Sequence, residues 1–249
     1  MYQKELVCAN LIWSDLDLRG VGANPPSATG RESNMQNPFT DFLNFLRSST
    51  VWGRAPIYIF ILLVLASIAI AAYNYWRDPL QRTSRSLYTW LARLLIGAMW
   101  FQQMRWKLPP QFTDNLADPL NSGLHFWMGE MAKYASFGFH RALVADVMLP
   151  NFGFFAYQVW AAETFIAVSL MLGLLTRLGG WLGALMALNL WLGLYNAPHE
   201  WPWTYFFLIL LMGFFAVLRA GRALGLDALL APRATEERGL AGRALALLT

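Results

Sequence analysis

The chain has almost no cysteine and little charge. Cys8 is its only cysteine, so no disulfide can close within the chain, and a cysteine-held zinc or iron–sulfur group would need ligands from elsewhere. Charged residues make up 14% of the 249 positions against 57% hydrophobic ones, too few to dress a surface that meets only water. Also missing are a phosphate-binding glycine loop, a nucleophile elbow and a haem-attachment pair, which removes the simplest nucleotide, hydrolase and cytochrome readings. Residues 1–54 lack the basic start, apolar core and small-residue cleavage site of a standard signal peptide. What is present is apolar and aromatic. With 12 Trp, 17 Phe and a mean hydropathy of +0.37, the composition points to an all-α integral membrane protein surrounded by lipid bilayer.

Residues 1–54 read as a tail, since the run GVGANPPSATGRESN is too polar to build a core. Translation from Met35 is an alternative to Met1, because the segment after Met35 changes character. There Phe42, Leu43, Phe45 and Leu46 are spaced for a short amphipathic helix on the membrane surface. Ala55–Trp76 runs 22 residues without a charge and predicts a first crossing. Tyr88–Met104 predicts a second, interrupted only by Arg93, whose long side chain can snorkel toward the loop end. In the connection 105–150, Leu124, Trp127, Met128 and Met131 recur at helical spacing and predict one or two interfacial helices. Crossings three and four lie on either side of a tight turn at Thr176–Gly180, and Trp203–Leu218 makes the fifth. Gly179, Gly183 and Ala187 recur every four residues, so a neighbouring helix can come close along that face. Residues 219–230 read as a surface helix and 231–249 as a polar tail.

Basic residues set the orientation. Arg77, Arg82, Arg85, Arg177, Arg219 and Arg222 fall on one side of five crossings, whereas the 198–202 connection on the other has no Lys or Arg. The positive-inside rule then puts the C-terminus in the cytoplasm and the N-terminal tail and the 105–150 loop outside. The net charge of +4 is explained by this asymmetry and needs no nucleic acid.

Several short patterns stand in order across residues 88–230: Arg93 with Gly97, the exit Met104-Arg105-Trp106-Lys107, Glu163 followed by Gly173-Leu-Leu-Thr-Arg177, and Gly221-Arg222-Ala-Leu-Gly-Leu-Asp227. In these residues the chain resembles the DoxX/DoxD family of membrane proteins. The resemblance implies a four-helix bundle over 88–230, to which residues 55–76 add one N-terminal crossing. For the DoxD branch it also implies the membrane subunit of thiosulfate:quinone oxidoreductase, which oxidises thiosulfate outside the cytoplasm of a bacterial or archaeal cell and reduces quinone. The added helix and tail depart from that pattern. They suit the alternative, a non-catalytic accessory subunit held through residues 1–76 by other membrane subunits of a respiratory or photosynthetic complex.

Glu163 is the sharpest candidate, a lone carboxylate inside an apolar span. Asn189 lies at similar depth on the next span, and Arg93 can reach toward Glu163. Together they read as a proton or quinone-headgroup site or as a structural Arg–Glu–Asn tie. His199 and Glu200, followed by Trp201 and Trp203, form either a proton-exchange mouth for a quinol or an aromatic belt. Arg105, Lys107, Lys133 and Arg141 supply an external anion site for thiosulfate or else contact lipid headgroups. His125 and His140 are fifteen apart, which is no metal-binding spacing, so no metal is expected.

Overall fold

The computed structural model describes residues 37, 40–41, 44–45, 48, 50–198, 200–236, 239, 242 and 246–249. Phe42–Thr249 form one compact unit. Among the described residues every element is helical and no strand occurs. The helices are α1 (Ala55–Arg77), α2 (Ser84–Arg105), α3 (Gly123–Tyr134), α4 (Gly138–Ala142, running on into a π-helical turn at Leu143–Met148), α5 (Phe152–Leu172), α6 (Thr176–Leu194), α7 (Pro202–Val217) and α8 (Asp227–Glu236). By length and composition, α1 and α5 are long and apolar enough to cross a membrane, and α7 is apolar but shorter.

The expected boundaries are met at α1 and shift elsewhere. Thr83 caps α2 by accepting from the Ser86 N–H, so that helix starts four residues before Tyr88. The turn expected at Thr176–Gly180 lies at Gly173–Leu175 instead, and Thr176–Gly180 is the first turn of α6. Gly173 ends α5 in the left-handed region at φ 67°, where a side chain is strained, and Leu175 takes the same region at φ 50°. The surface helix expected over 219–230 is also corrected. Ala220–Arg222 is a single 3₁₀ turn, the chain then tucks under α5, and helix resumes only at a fully buried Asp227.

That tuck closes an accounting problem. The last carbonyls of an α-helix have no partner within it, and burial away from water makes an unmet carbonyl costly. At the end of α5 each one is met. Ser169 O accepts from the Gly173 and Leu174 N–H groups, Leu170 O from Arg93 Nη1 at 3.0 Å, and Met171 O from Ser67 Oγ at 2.6 Å. Leu172 O accepts from the Leu226 N–H at 3.1 Å and Gly173 O from the Asp227 N–H at 2.8 Å. Four segments distant in sequence converge here. This hairpin end also holds Gln81, whose amide donates to Arg222 O at 3.0 Å and accepts from the Leu224 N–H at 3.1 Å.

Small residues set the helix registers. A Cβ on Gly97 of α2 would sit 2.8 Å from Met171 Cγ and 3.1 Å from Leu170 Cβ, so α2 and α5 touch there. Gly179 of the small-residue face meets Ser169 of α5, and Gly183 meets Met212 of α7 and Ile166 of α5, as the spacing predicts. Two apolar layers result. The first gathers Trp100, Phe101, Met104, Ile166, Leu170 and Met212, while the second packs α3 and the α4 segment onto the far halves of α5 and α6 through Met128, Met131, Val144, Ala156 and Leu194. The 105–150 segment, read as loop with interfacial helices, is thus a folded cap with a core of its own. Phe45 is buried, edge-on to Phe60. Phe42, Leu43 and Leu46 lie outside the described residues.

Candidate functional site

Trp160 packs against both layers and marks their junction, and Glu163 lies one turn further along the same face of α5. Counting from the Gly97 contact, Arg105 is about 12 Å along α2 and Glu163 about 11 Å along α5 at the usual rise, so α2 ends level with Glu163. The chain leaving α2 therefore passes the carboxylate, and Lys107 forms an ion pair with its Oε1. Both side chains are almost wholly buried. Lys107 Nζ also lies 4.6 Å from the centre of the Trp106 ring, a cation–π contact on a second side. The other carboxylate oxygen, Glu163 Oε2, is buried without a hydrogen-bond partner among the described residues, as is Trp160 Nε1.

Trp52 closes over this junction. Its ring meets Trp160 edge-on at 6.1 Å, and its indole N–H donates to Pro109 O at 2.8 Å. Arg105 braces the same region by donating to Ser48, stacking 4.6 Å from the Phe45 ring and facing Asp114 at 3.8 Å. Burial pushes the Asp114 carboxyl above its ordinary range, with Arg105 pulling the other way.

The expected Arg–Glu–Asn tie is not formed. Arg93 serves the hairpin end, donating to Leu170 O at 3.0 Å and Ala223 O at 3.4 Å, because the α2–α5 register sets it more than two turns below Glu163. Asn189 Oδ1 accepts from His140 Nε2 at 2.9 Å, and His140 is buried with Nδ1 unpartnered among the described residues. The structure therefore joins Lys107 to Glu163 and His140 to Asn189, two pairs that sequence spacing did not suggest. The signal for the first was present: Lys107 follows an aromatic-basic helix exit, and the only carboxylate of the apolar span needs a cation.

The remaining candidates are dispersed. His199 lies outside the described residues, Glu200 accepts from Tyr205 Oη at 2.9 Å, and Trp201 and Trp203 are exposed beside Phe207 and Phe206. The four cations proposed for an anion do not act together. Arg105 and Lys107 are buried against carboxylates of their own, whereas Lys133 is exposed 3.6 Å from Glu130 and Arg141 is exposed on α4. The Tyr134 hydroxyl and then Glu130 hold the Lys133 ammonium above its usual value. Among the described residues no three His, Cys, Asp or Glu side chains stand close enough to hold a metal ion.

The arrangement can hold a proton beside a fixed positive charge, shielded from water, between two aromatic-walled layers. Comparison of the chain with protein-family models, with curated proteins and with solved structures finds no match.

Proposed function

We propose that the chain is a membrane-embedded subunit of a quinone-linked redox system of the DoxX/DoxD kind, crossing the bilayer five times through α1, α2, α5, α6 and α7. In this reading the hairpin end, with its arginines, faces the cytoplasm, and the α3–α4 cap lies outside. The observation that carries the functional part is the buried Lys107–Glu163 pair with Glu163 Oε2 left over. Reducing a quinone takes two electrons and two protons. Two thiosulfate ions joining to tetrathionate release two electrons, and a partner subunit is the other source. Glu163 Oε2 is the group able to hand one of the two protons to a quinone oxygen, the second coming from bulk water, while Lys107 stabilises the carboxylate left behind.

The test must separate proton handling from structure. Exchanging the two residues, Lys107→Glu with Glu163→Lys, keeps the attraction but moves the acid to another element. An assembled, fully folded exchange variant that reduces quinone like the parent makes the pair structural and ends the catalytic reading. Loss of quinone reduction in this variant and in Glu163→Gln, with assembly intact, supports it.

A second reading, an accessory subunit, is favoured by α1. Ser67 and Asn74 bind that helix to the bundle through Met171 O and Gly225 O, yet Tyr58, Leu62 and Leu65 on it are 66%, 66% and 58% exposed. Those residues suit a partner helix. Leu62→Ala with Leu65→Ala is expected to release partner subunits during gentle detergent extraction, and unchanged co-purification ends this role for α1.

A further inference from the structure

The hairpin end carries a cleft of about 210 Å³ between the start of α2 and the chain that follows α7. Arg85, Arg219 and Arg222 line it together with Ser86 and Thr89, and among the described residues no acidic one does. Its floor is fixed, because Gln81 holds both Arg222 O and the Leu224 N–H, and Arg93 holds Ala223 O. Among the described residues neither Arg85 nor Arg219 has a carboxylate within ion-pair distance. Burial first, and then repulsion from Arg219, push the Arg222 guanidinium below its ordinary value, with Asp227 opposing and Arg177 adding to the repulsion. Arg222 Nε also donates to Thr249 O at 3.2 Å, so among the described residues it is Arg85 and Arg219 that bring charge to the cleft without an ion-paired carboxylate.

One edge of the cleft is apolar and open. Leu80 is 85% exposed and Leu218 61%, and Phe214 continues the exposed strip one turn back along α7. A soluble anion would engage the arginines and leave these leucines in water. An amphiphile would use both.

We propose that the cleft seats the phosphodiester headgroup of an anionic membrane phospholipid, with Arg85, Arg219 and Arg222 around the phosphate and an acyl chain along Leu218 and Phe214. Thr89 lines the same cleft, as does Ser86, whose hydroxyl is shared with Thr83 Oγ1 at 2.9 Å. The site rests on the membrane reading given above but is independent of the quinone chemistry, which it leaves untouched.

The experiment uses the full chain in a mild neutral detergent, with phosphatidylglycerol, phosphatidylcholine or inorganic phosphate added, read by native mass spectrometry and by melting temperature. Phosphatidylglycerol is expected to stay bound and raise the melting temperature, phosphatidylcholine and inorganic phosphate to do neither. Arg85→Gln with Arg219→Gln, which removes two guanidiniums without an ion pair among the described residues, is expected to weaken phosphatidylglycerol retention roughly thirtyfold without lowering the melting temperature of the lipid-free protein. The Lys counterparts of both changes retain most of the binding. Equal retention of phosphatidylcholine, or unchanged phosphatidylglycerol binding by the Gln variant, overturns the site. Stabilisation by inorganic phosphate that the Gln variant loses assigns the cleft to a soluble anion and overturns the lipid. A chain that stays soluble without detergent overturns the membrane reading and the site together, whereas a detergent-dependent chain with no anionic preference overturns the site alone.

Discussion

Asp227 accepts a hydrogen bond from the backbone N–H of Thr176 at 2.9 Å, across 51 residues of chain, and caps α6 from outside its own hairpin. Its other oxygen takes the Leu175 N–H at 2.7 Å. Asp227→Ala strands both donors in a buried place and is expected to cost about 2–4 kcal/mol, read as a fall in melting temperature in detergent. Burial pushes the Asp227 carboxyl up by more than the Thr176 and Leu175 bonds and Arg93 pull it down. The folded chain then holds this proton more tightly than the unfolded chain. The resulting stability is complete below about pH 4 and is lost as pH rises through the folded value. Asp227→Asn is expected to flatten that part of the melting profile, and a parallel profile would sink the assignment.

Arg93 reaches two carbonyls on different segments, Leu170 O and Ala223 O, with separate nitrogens of one guanidinium. A lysine has a single terminal nitrogen and cannot span them in the same way. Arg93→Lys is expected to lower stability by about 1–3 kcal/mol. Any effect on the proposed quinone reduction should follow that loss. A change in activity at unaltered melting temperature would return Arg93 to the Glu163 site.

These two residues show what the sequence could carry. Apolar runs and their breaks announce α1, α5 and α7, and helical spacing announces α3, because each is a local property of the chain. Arg93, Gly173, Gly221 and Asp227 stand out as parts of a pattern, but their common task does not, since it is one knot tied at the end of α5. Depth along a single helix also misleads. Glu163 looks central when its own span is counted alone, and only the Gly97 contact with Leu170 and Met171 reveals that α2 stops beside it. That contact is a meeting of two surfaces, and no spacing within either helix encodes it.

Gly180 tests the close approach of α6 and α7. A Cβ there would lie 2.8 Å from Ala216 N, 2.9 Å from Ala216 Cβ and 2.9 Å from Met212 O, atoms carried by or next to the backbone that cannot swing aside. Gly180→Ala is expected to force the helices apart and cost about 1–3 kcal/mol despite the better helix propensity of alanine. Gly213→Ala on α7 meets nothing within 4 Å and is expected to leave stability unchanged or slightly raised. The melting temperature should therefore fall for Gly180→Ala and hold or rise slightly for Gly213→Ala. Similar losses from both would mean that the α6–α7 spacing is not set at Gly180.

The Lys107–Glu163 pair makes the strongest demand on stability. Removing one partner leaves a charge buried at the junction of two apolar layers, so Lys107→Met or Glu163→Leu alone is expected to cost about 3–5 kcal/mol. Replacing both removes the two desolvation penalties along with the attraction. Lys107→Met with Glu163→Leu is expected to fall within about 1 kcal/mol of the parent or above it. A melting series of the four proteins gives the coupling between the sites directly. Strict additivity of the two single losses would mean that the side chains do not meet in solution, and the proton-handling proposal would lose the contact it is built on. Strong coupling with intact stability in the double variant also yields a folded protein lacking both ionisable groups, in which the proposed quinone reduction can be measured without the confusion of a damaged bundle.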